Sequence, residues 1–209
     1  LLIFISISIT AQKRAFTIED LYKIKSVSNP VLSNSGEKVA YTVTEYDLSS
    51  AKTTNTVYVM NKNGSSLESI SDKLPSATSP FWSTNDDLYL LSKGQLYKYS
   101  FNNGKAEQLT DFYAGVSDPI VSNDGRYVAF TAELFPECGT DNDCNKRLDE
   151  SSSNGPVQAY IADELLFRHW TEYKGEKETY LILYDMIEKK YEAVTSSDVL
   201  AGTYMLGGG

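Results

Sequence analysis

The sequence predicts an all-β fold, an incomplete β-propeller of about three four-stranded blades with a short N-terminal helix and a helical insertion in the third blade. Tyr and Phe are abundant, at 15 and 8 of 209 residues, and aromatic side chains favour half-buried strands. In addition, one short pattern recurs from Pro30, Pro80 and Pro119, and such recurrence is typical of repeat architectures. A β-sandwich is the alternative fold, but it does not require a periodic recurrence.

Composition excludes two broad classes of function. Lys and Arg number 19 against 28 Asp and Glu, a net charge of -9, and no stretch concentrates the basic residues. Nucleic acid is therefore not an expected partner, because neutralising phosphates needs a basic face. The single histidine, His169, excludes sites that need both a histidine base and a histidine metal ligand.

Residues 1–11 are a nearly pure apolar and hydroxyl run that ends at Ala11. This is typical of the remnant of a secretory signal peptide, with the small residue at the cleavage position. Because isoleucines alternate with other residues in period two, a β-strand is the alternative interpretation. The run is too short for a membrane span, which takes about 20 apolar residues. We therefore expect an exported protein without a membrane span.

Residues 12–28 predict an N-terminal helix and lead-in. Thr17 is followed three positions later by Asp20, which is a capping-box spacing. Ile18, Leu21 and Tyr22 fall at helical spacing and give one apolar face. We expect this helix to plug or flank the propeller, without a chemical role.

Residues 29–209 form the predicted partial propeller. Each copy of the repeat reads as a proline-started strand, a Ser-containing turn with Asn, Asp or Gly, and a β-branched or aromatic return strand, followed by a second hairpin. The predicted blades cover residues 29–72, 79–111 and 118–196, and residues 203–209 start a further blade. Propellers close with about four to eight blades. The ring is therefore expected to be open, and the chain to be the amino-terminal part of a longer protein.

An insertion over residues 135–177 interrupts the third blade and contains both cysteines, Cys138 and Cys144. In an exported protein two cysteines predict one disulfide. The enclosed loop is short, so the chain-entropy model gives only about 2 kcal/mol of stabilisation. A redox-active pair is less favoured, because the spacing is not Cys-x-x-Cys.

The same segment imitates the start of a calcium loop. Asp141, Asp143 and Asn145 occupy the right spacing, but Lys146 stands where such a loop requires glycine and Ser152 where it requires glutamate. We therefore expect no metal and no cofactor.

Further along the insertion, Gln158 to Trp170 reads as a helix with one apolar side. A recognition-like cluster lies at its end: Arg168, His169, Trp170 and Glu172. We interpret these four as candidate substrate-facing residues, since Arg168 is suited to pair with a carboxylate and Glu172 with an ammonium. The alternative is a helix packed on the propeller, with Trp170 buried and His169 hydrogen-bonded.

Three sequence features together resemble one enzyme family. They are the opening Phe16 to Leu21, the Ser-x-Asp-Gly turns, and the insertion segments Cys144 to Asp149 and Phe167 to Glu172. In these residues the chain is similar to the amino-terminal propeller of the prolyl oligopeptidase family of serine peptidases, of the dipeptidyl peptidase and acylaminoacyl peptidase type. The resemblance spans most of residues 16–209.

The resemblance implies an α/β-hydrolase domain after the propeller, with a serine nucleophile in a Gly-x-Ser-x-Gly elbow. Gly115 to Pro119 fails that motif at its last position, so no catalytic residue is assigned and the fragment should not cleave peptides. The implied role is to restrict and orient short peptides in a periplasmic exopeptidase of a Gram-negative bacterium. A homodimer is left open. The alternative function is a periplasmic protein-binding propeller of the Tol-Pal type, without peptidase activity.

Overall fold

Three four-stranded antiparallel sheets follow one another along the chain in the computed structural model. The structure describes residues 14–154, 168–169, 172–173 and 175–195, and for 168–169 and 172–173 it describes the backbone alone. The predicted signal-peptide remnant (1–11) and the predicted start of a further blade (203–209) lie outside the described residues. Within the described part, the prediction of an incomplete propeller of three four-stranded blades is confirmed.

Each sheet takes its strands from one stretch of the chain. The strands of the first sheet are β1 (Ser26–Leu32), β2 (Lys38–Asp47), β3 (Lys52–Asn61) and β4 (Glu68–Ser69). Those of the second sheet are β5 (Thr78–Trp82), β6 (Leu88–Ser92), β7 (Gln95–Ser100) and β8 (Lys105–Gln108). Those of the third sheet are β9 (Ser117–Val121), β10 (Tyr127–Leu134), β13 (Glu178–Asp185) and β14 (Lys190–Ala193).

Strands are paired in the order in which they occur, so each sheet is a meander. We call the end of the sheets that carries turns 33–37, 83–87 and 122–126 the turn end. The opposite end, which carries the connections 70–77 and 109–116 between sheets, is the connector end. Because every sheet has four antiparallel strands, the chain enters and leaves each one at the connector end.

The second sheet is buried on both faces. Along β6, Leu88 and Leu90 pack with residues of the first sheet, whereas Tyr89 and Leu91 pack with residues of the third. Side chains on a strand alternate between faces, so one strand contributes to both cores. Sheets stacked in series in this way fit neighbouring blades of a propeller and not the two facing layers of a sandwich.

The repeat prolines lie inside their strands, so the prediction that they start the strands is wrong. Pro30, Pro80 and Pro119 each follow a residue with a positive φ, namely Asn29 (50°), Ser79 (50°) and Asp118 (49°). The pairing register shifts at each of these places. A β-bulge on an edge strand accommodates proline, because the missing N–H costs no ladder bond there.

A serine organises each of the turns 33–37, 83–87 and 122–126. In the third sheet, the Tyr127 N–H donates to Ser122 Oγ at 2.9 Å, and in the first the Lys38 N–H donates to Ser33 Oγ at 3.0 Å. In the second copy Asp86 takes the left-handed position with φ 60°, where the other copies have glycine. This explains why that copy of the pattern lacks Gly.

Hydrogen bonds join these turns from sheet to sheet. Asn34 Nδ2 donates to the Thr84 carbonyl at 3.0 Å, and the Ser35 N–H donates to Asp86 Oδ1 at 3.0 Å. Hydrogen bonding by Ser35, from its side chain first and its N–H second, lowers the pKa of the Asp86 carboxyl. The turns therefore hold neighbouring sheets in a fixed alignment.

Helix α1 (Ile18–Tyr22) lies before the first sheet. The Thr17 N–H donates to Asp20 Oδ2 at 3.1 Å, as the predicted capping box requires. Arg14 Nη2 lies 2.6 Å from Asp20 Oδ1, and this guanidinium holds the pKa of Asp20 far below its ordinary value. In the described part of the chain, neither helix has the length and apolar content needed to cross a membrane.

Candidate functional site

The insertion between β10 and β13 is the candidate functional site, and it rises from the connector end of the third sheet. Its main described element is helix α2 (Asn142–Asn154). The Cys144 N–H donates to Asp141 Oδ1 at 2.9 Å, so Asp141 caps the amino terminus of this helix. The residues that imitate a calcium loop are thus the start of a helix.

The predicted disulfide is present. Cys138 and Cys144 are bonded, with their Cα atoms 5.5 Å apart. The bond ties the turn that follows β10 to the first turn of α2. It therefore fixes where the helix begins.

Buried Asn145 reinforces the same junction. Its Oδ1 accepts from the Phe135 N–H at 3.0 Å, and its Nδ2 donates to the Gly139 and Asp141 carbonyls at 2.9 and 2.8 Å. The side chain is only 2% exposed. A buried amide with all of these bonds satisfied specifies one backbone path.

Asn142 attaches α2 to the connection between the second and third sheets. Its Oδ1 accepts from the Tyr113 N–H at 2.9 Å, and its Nδ2 donates to the Asp111 carbonyl at 3.1 Å. The insertion is therefore docked on the connector end and does not hang freely from β10.

Asp149 closes the far side of the insertion. Its carboxylate accepts from Lys177 Nζ, 2.6 Å from Oδ1, and from the Tyr113 hydroxyl, 3.2 Å from Oδ2. Desolvation and this carboxylate raise the pKa of Tyr113. Lys177 precedes β13, so the ion pair holds the helix beside the returning chain.

The predicted helix from Gln158 to Trp170 is wrong at its carboxyl end. Arg168–His169 form strand β11, which pairs with β12 (Glu172–Tyr173) in a short antiparallel hairpin. His169 and Glu172 are register partners in that pairing. Trp170 and residues 158–167 lie outside the described residues. The helical insertion itself is confirmed, but its described helix is α2.

A polar cavity of about 270 Å³ opens at the base of the insertion. It is lined by Ala114, Ser117, Thr131, Ala132, Glu133 and Thr179. Three hydroxyl groups and one carboxylate give it a hydrogen-bonding character that suits a polar or cationic group.

A second cavity, of about 310 Å³, lies on the outer side between the second and third sheets. Tyr184 and Tyr191 stack in its wall, with ring centroids 4.3 Å apart, and Lys189 and Asp111 contribute charges.

The anchoring residue Asn142 was not found in the sequence as a functional position, and Asn145 stood out only as part of the calcium-loop imitation. Asp141, three residues before Cys144, is an N-cap signal that would have placed α2. No sequence signal shows that Asn145 bonds the Phe135 N–H, because that contact depends on how the turn folds. In residues 14–154 and 175–195, no group of three or more His, Cys, Asp or Glu side chains is arranged to hold a metal ion.

Known proteins with a similar sequence are peptidases. The chain is 25% identical over 170 residues to dipeptidyl-peptidase 5 of Porphyromonas endodontalis, which covers 78% of this chain and 23% of that protein. It is 30% identical over 129 residues to the uncharacterized peptidase YuxL of Bacillus subtilis, a match that covers 58% of this chain and 20% of that protein. No family model matches the chain.

The fold is also similar to a solved peptidase. Acylaminoacyl peptidase from Pyrococcus horikoshii matches with a TM-score of 0.59 at 13% identity, over 83% of this chain and 26% of that one. At this identity the likeness shows the fold alone. The chain spans between 20% and 26% of the length of these relatives.

Proposed function

Because its resemblance to the amino-terminal portion of prolyl oligopeptidase-family peptidases is confirmed, we propose that the chain is the non-catalytic propeller portion of an exported serine exopeptidase. The propeller restricts and orients short peptides for a peptidase domain elsewhere in the protein. The observation that carries this proposal is the sequence match to peptidases over 78% of the chain.

The insertion supports a role in substrate selection. It is docked at the connector end by Asn142 and by the ion pair between Lys177 and Asp149. The chain enters and leaves every sheet at this end, so a following domain is joined there. A fixed element at a domain junction is suited to restrict which peptides enter.

We place the substrate-facing residues on the insertion hairpin. Arg168 and His169 of β11 and Glu172 of β12 belong to it, and Trp170 is proposed with them. A guanidinium and a carboxylate on one hairpin supply partners for the carboxylate and ammonium groups of a short peptide.

The disulfide between Cys138 and Cys144 supports export, because such bonds persist in oxidising compartments. We propose the periplasm as that compartment. There the enzyme would release dipeptides from the amino termini of peptides.

The test is to remove the insertion from the full-length protein. Leu134 and Glu178 are register partners on β10 and β13, so a short Gly-rich turn can replace residues 136–176 without moving either strand. The shortened enzyme should still hydrolyse short peptides but should lose its discrimination against longer ones. The ratio of kcat/KM values for a short and a long peptide measures this discrimination.

Replacing the turn 186–189 at the opposite end is the matched control, and it should leave that ratio unchanged. An unchanged ratio in the shortened enzyme would refute the role of the insertion. A full-length protein without hydrolytic activity, and without a downstream Gly-x-Ser-x-Gly motif, would instead favour a protein-binding propeller.

A further inference from the structure

The outer edge of β3 is uncovered along its first five residues. The strand spans Lys52–Asn61, but its outer neighbour β4 pairs with it only at Tyr58 and Val59. On the inner side, β2 pairs with the whole of β3. Within the described part of the chain, residues 52–56 therefore have a neighbouring strand on one side only.

The direction of the uncovered backbone groups follows from Val57. Its N–H donates to Ser71 Oγ at 3.1 Å and its carbonyl accepts from the Ile70 N–H at 2.8 Å, so both groups point to the outer edge. In an antiparallel strand, alternate residues direct their N–H and C=O groups to the same side. Thr53 and Asn55 therefore also direct theirs outward, and no described residue bonds them there.

The second sheet shows the same position with its edge covered. There β8 pairs with four residues of β7. The Leu96 N–H then donates to Thr110 Oγ1 at 2.9 Å, and the Leu109 N–H donates to the Leu96 carbonyl at 2.8 Å. Only Gln95, the first residue of β7, lies beyond this coverage. The open edge of the first sheet is therefore much longer than that of the second.

The open edge lacks the features that keep other chains away. Natural proteins protect such an edge with proline, with charges or with a bulge. Residues 53–56 are Thr, Thr, Asn and Thr, and the pairing of β3 with β2 has no register shift. Thr53 and Thr54 are exposed. An edge of this kind is suited to accept an added strand, whose main-chain hydrogen bonds supply the affinity.

Opposite charges stand at the two ends of this edge. Lys52 begins β3, and the carboxylate of its register partner Asp47 accepts from the Ser49 and Ser50 hydroxyls at 2.6 Å each. Lys52 has no ion-pair partner among the described residues. At the other end, Asp72 is exposed and has no partner among those residues either. A cation and an anion are therefore available to groups that lie along the edge.

We propose that the open edge of β3 binds a short peptide as an added antiparallel strand; this inference rests on the proposed function for the choice of a peptide as the occupant. The peptide prolongs β4 and exchanges main-chain hydrogen bonds with Thr53 and Asn55. Its terminal ammonium lies toward Asp72 and its terminal carboxylate toward Lys52. Five strand residues span about 17 Å, so a peptide of about five residues reaches from one charge to the other. Because the bonds are to the main chain, the edge binds peptides of many sequences.

The test measures amide hydrogen exchange in the full-length protein. A serine-directed sulfonyl fluoride is added first, so that the probe is not cleaved. The probe is pentathreonine with uncapped termini. At about ten times its Kd, it should slow exchange of the Thr53 and Asn55 amides about tenfold. The Thr54 amide, which is directed to β2, should exchange at an unchanged rate.

Matched variants separate the main-chain bonds from the charges. Thr53→Pro removes one outward N–H and keeps the ladder with β2, so it should weaken binding about two- to tenfold. Thr54→Ala alters no outward group and should bind equally well. Lys52→Ala should weaken binding of the uncapped probe but not of its amidated form. Asp72→Asn should weaken binding of the uncapped probe but not of its acetylated form.

A modified probe tests the unaltered protein as well. Pentathreonine with a methyl group on every amide nitrogen cannot donate to the edge and should not protect it. Equal protection by this peptide would show that main-chain bonds do not hold the occupant, and the proposal would fail.

Two further results would overturn the proposal. If the probe protects neither amide while the untreated protein hydrolyses peptides, the edge is not a peptide site and the proposed function survives. If both amides are protected without the probe and light scattering shows a dimer, a second copy occupies the edge. By contrast, protection by the probe in a full-length protein that hydrolyses no peptide would support the peptide site and refute the proposed function.

Discussion

Tyr191 shows how one side chain joins two sheets. Its ring stacks on Tyr184 within the third sheet and lies 4.7 Å from the ring of Phe112, which follows the second. Its hydroxyl accepts from the Asp111 N–H at 3.1 Å. Burial raises the pKa of Tyr191 to about 12. The neutral phenol is therefore part of the contact between these sheets.

Tyr191→Phe should reveal this contact in the pH dependence of stability. Because the pKa is near 10 in an unfolded chain and about 12 in the fold, the stabilisation is complete below pH 10 and is lost as pH rises through 12. The variant lacks the hydrogen bond, so its free energy of unfolding at pH 7 should be lower by about 0.5–1.5 kcal/mol. From pH 10 to 12 that free energy should decline less steeply than it does with Tyr191 in place. Denaturant unfolding at several pH values measures both. Tyr97→Phe is the control, because it keeps Tyr191. If the stability of this variant declined equally slowly from pH 10 to 12, the pH dependence could not be assigned to Tyr191.

The insertion illustrates how an element is held by several independent contacts. The disulfide and the bonds of Asn145 fix the start of α2, while Asn142 and Asp149 attach its body to the connection before the third sheet and to Lys177. The entropic effect of a disulfide that closes so short a loop is small. The hydrogen bonds and the ion pair therefore contribute most of what keeps the helix in place.

The double variant Cys138→Ser, Cys144→Ser should be destabilised by about 2 kcal/mol or less. Helix α2 should stay docked, because Asn142 and Asp149 keep their partners. Denaturant unfolding gives the free energy, and hydrogen exchange of the Tyr113 amide, which donates to Asn142, reports docking. Exchange of that amide at the rate of an unprotected one would show that the disulfide holds the helix in place.

Local patterns in the sequence predicted most of the elements, and tertiary contacts explain the rest. The Ser turns and the Thr17 capping box depend on neighbouring residues, so they could be found. The bulges at Asn29, Ser79 and Asp118 could not be found. Each strand continues on the amino-terminal side of its proline, and only the pairing with the neighbouring strand shows this. The apolar side of residues 158–170 suggested a helix, yet the Arg168–His169 strand is set by its pairing with β12.

At the scale of the whole molecule, the second sheet carries the contacts between the other two. Leu90 is fully buried and packs with Ala40, Val57 and Val59 of the first sheet. Phe130 of the third sheet belongs to the other core, with Tyr89. Each core forms between neighbours only, as in other repeat architectures.

Leu90→Ala should therefore loosen one contact between sheets and spare the other. The free energy of unfolding should fall by about 2–5 kcal/mol, since the truncation leaves a cavity in a packed core. Hydrogen exchange should accelerate more in β2 and β3 than in β10 and β13. Leu67→Ala removes an exposed side chain as the control and should cost little. Equal acceleration in all three sheets would contradict the pairwise arrangement of the cores.

The meander order of the strands has a consequence for biosynthesis. In the part of the chain that the structure describes, the first sheet is completed by Ser69 and takes no strand from later residues. A growing polypeptide can therefore assemble its sheets one at a time, from the amino terminus onward, as each stretch leaves the ribosome. The exception is the third sheet, whose two halves must wait for the whole insertion to be synthesised before Leu134 can meet Glu178.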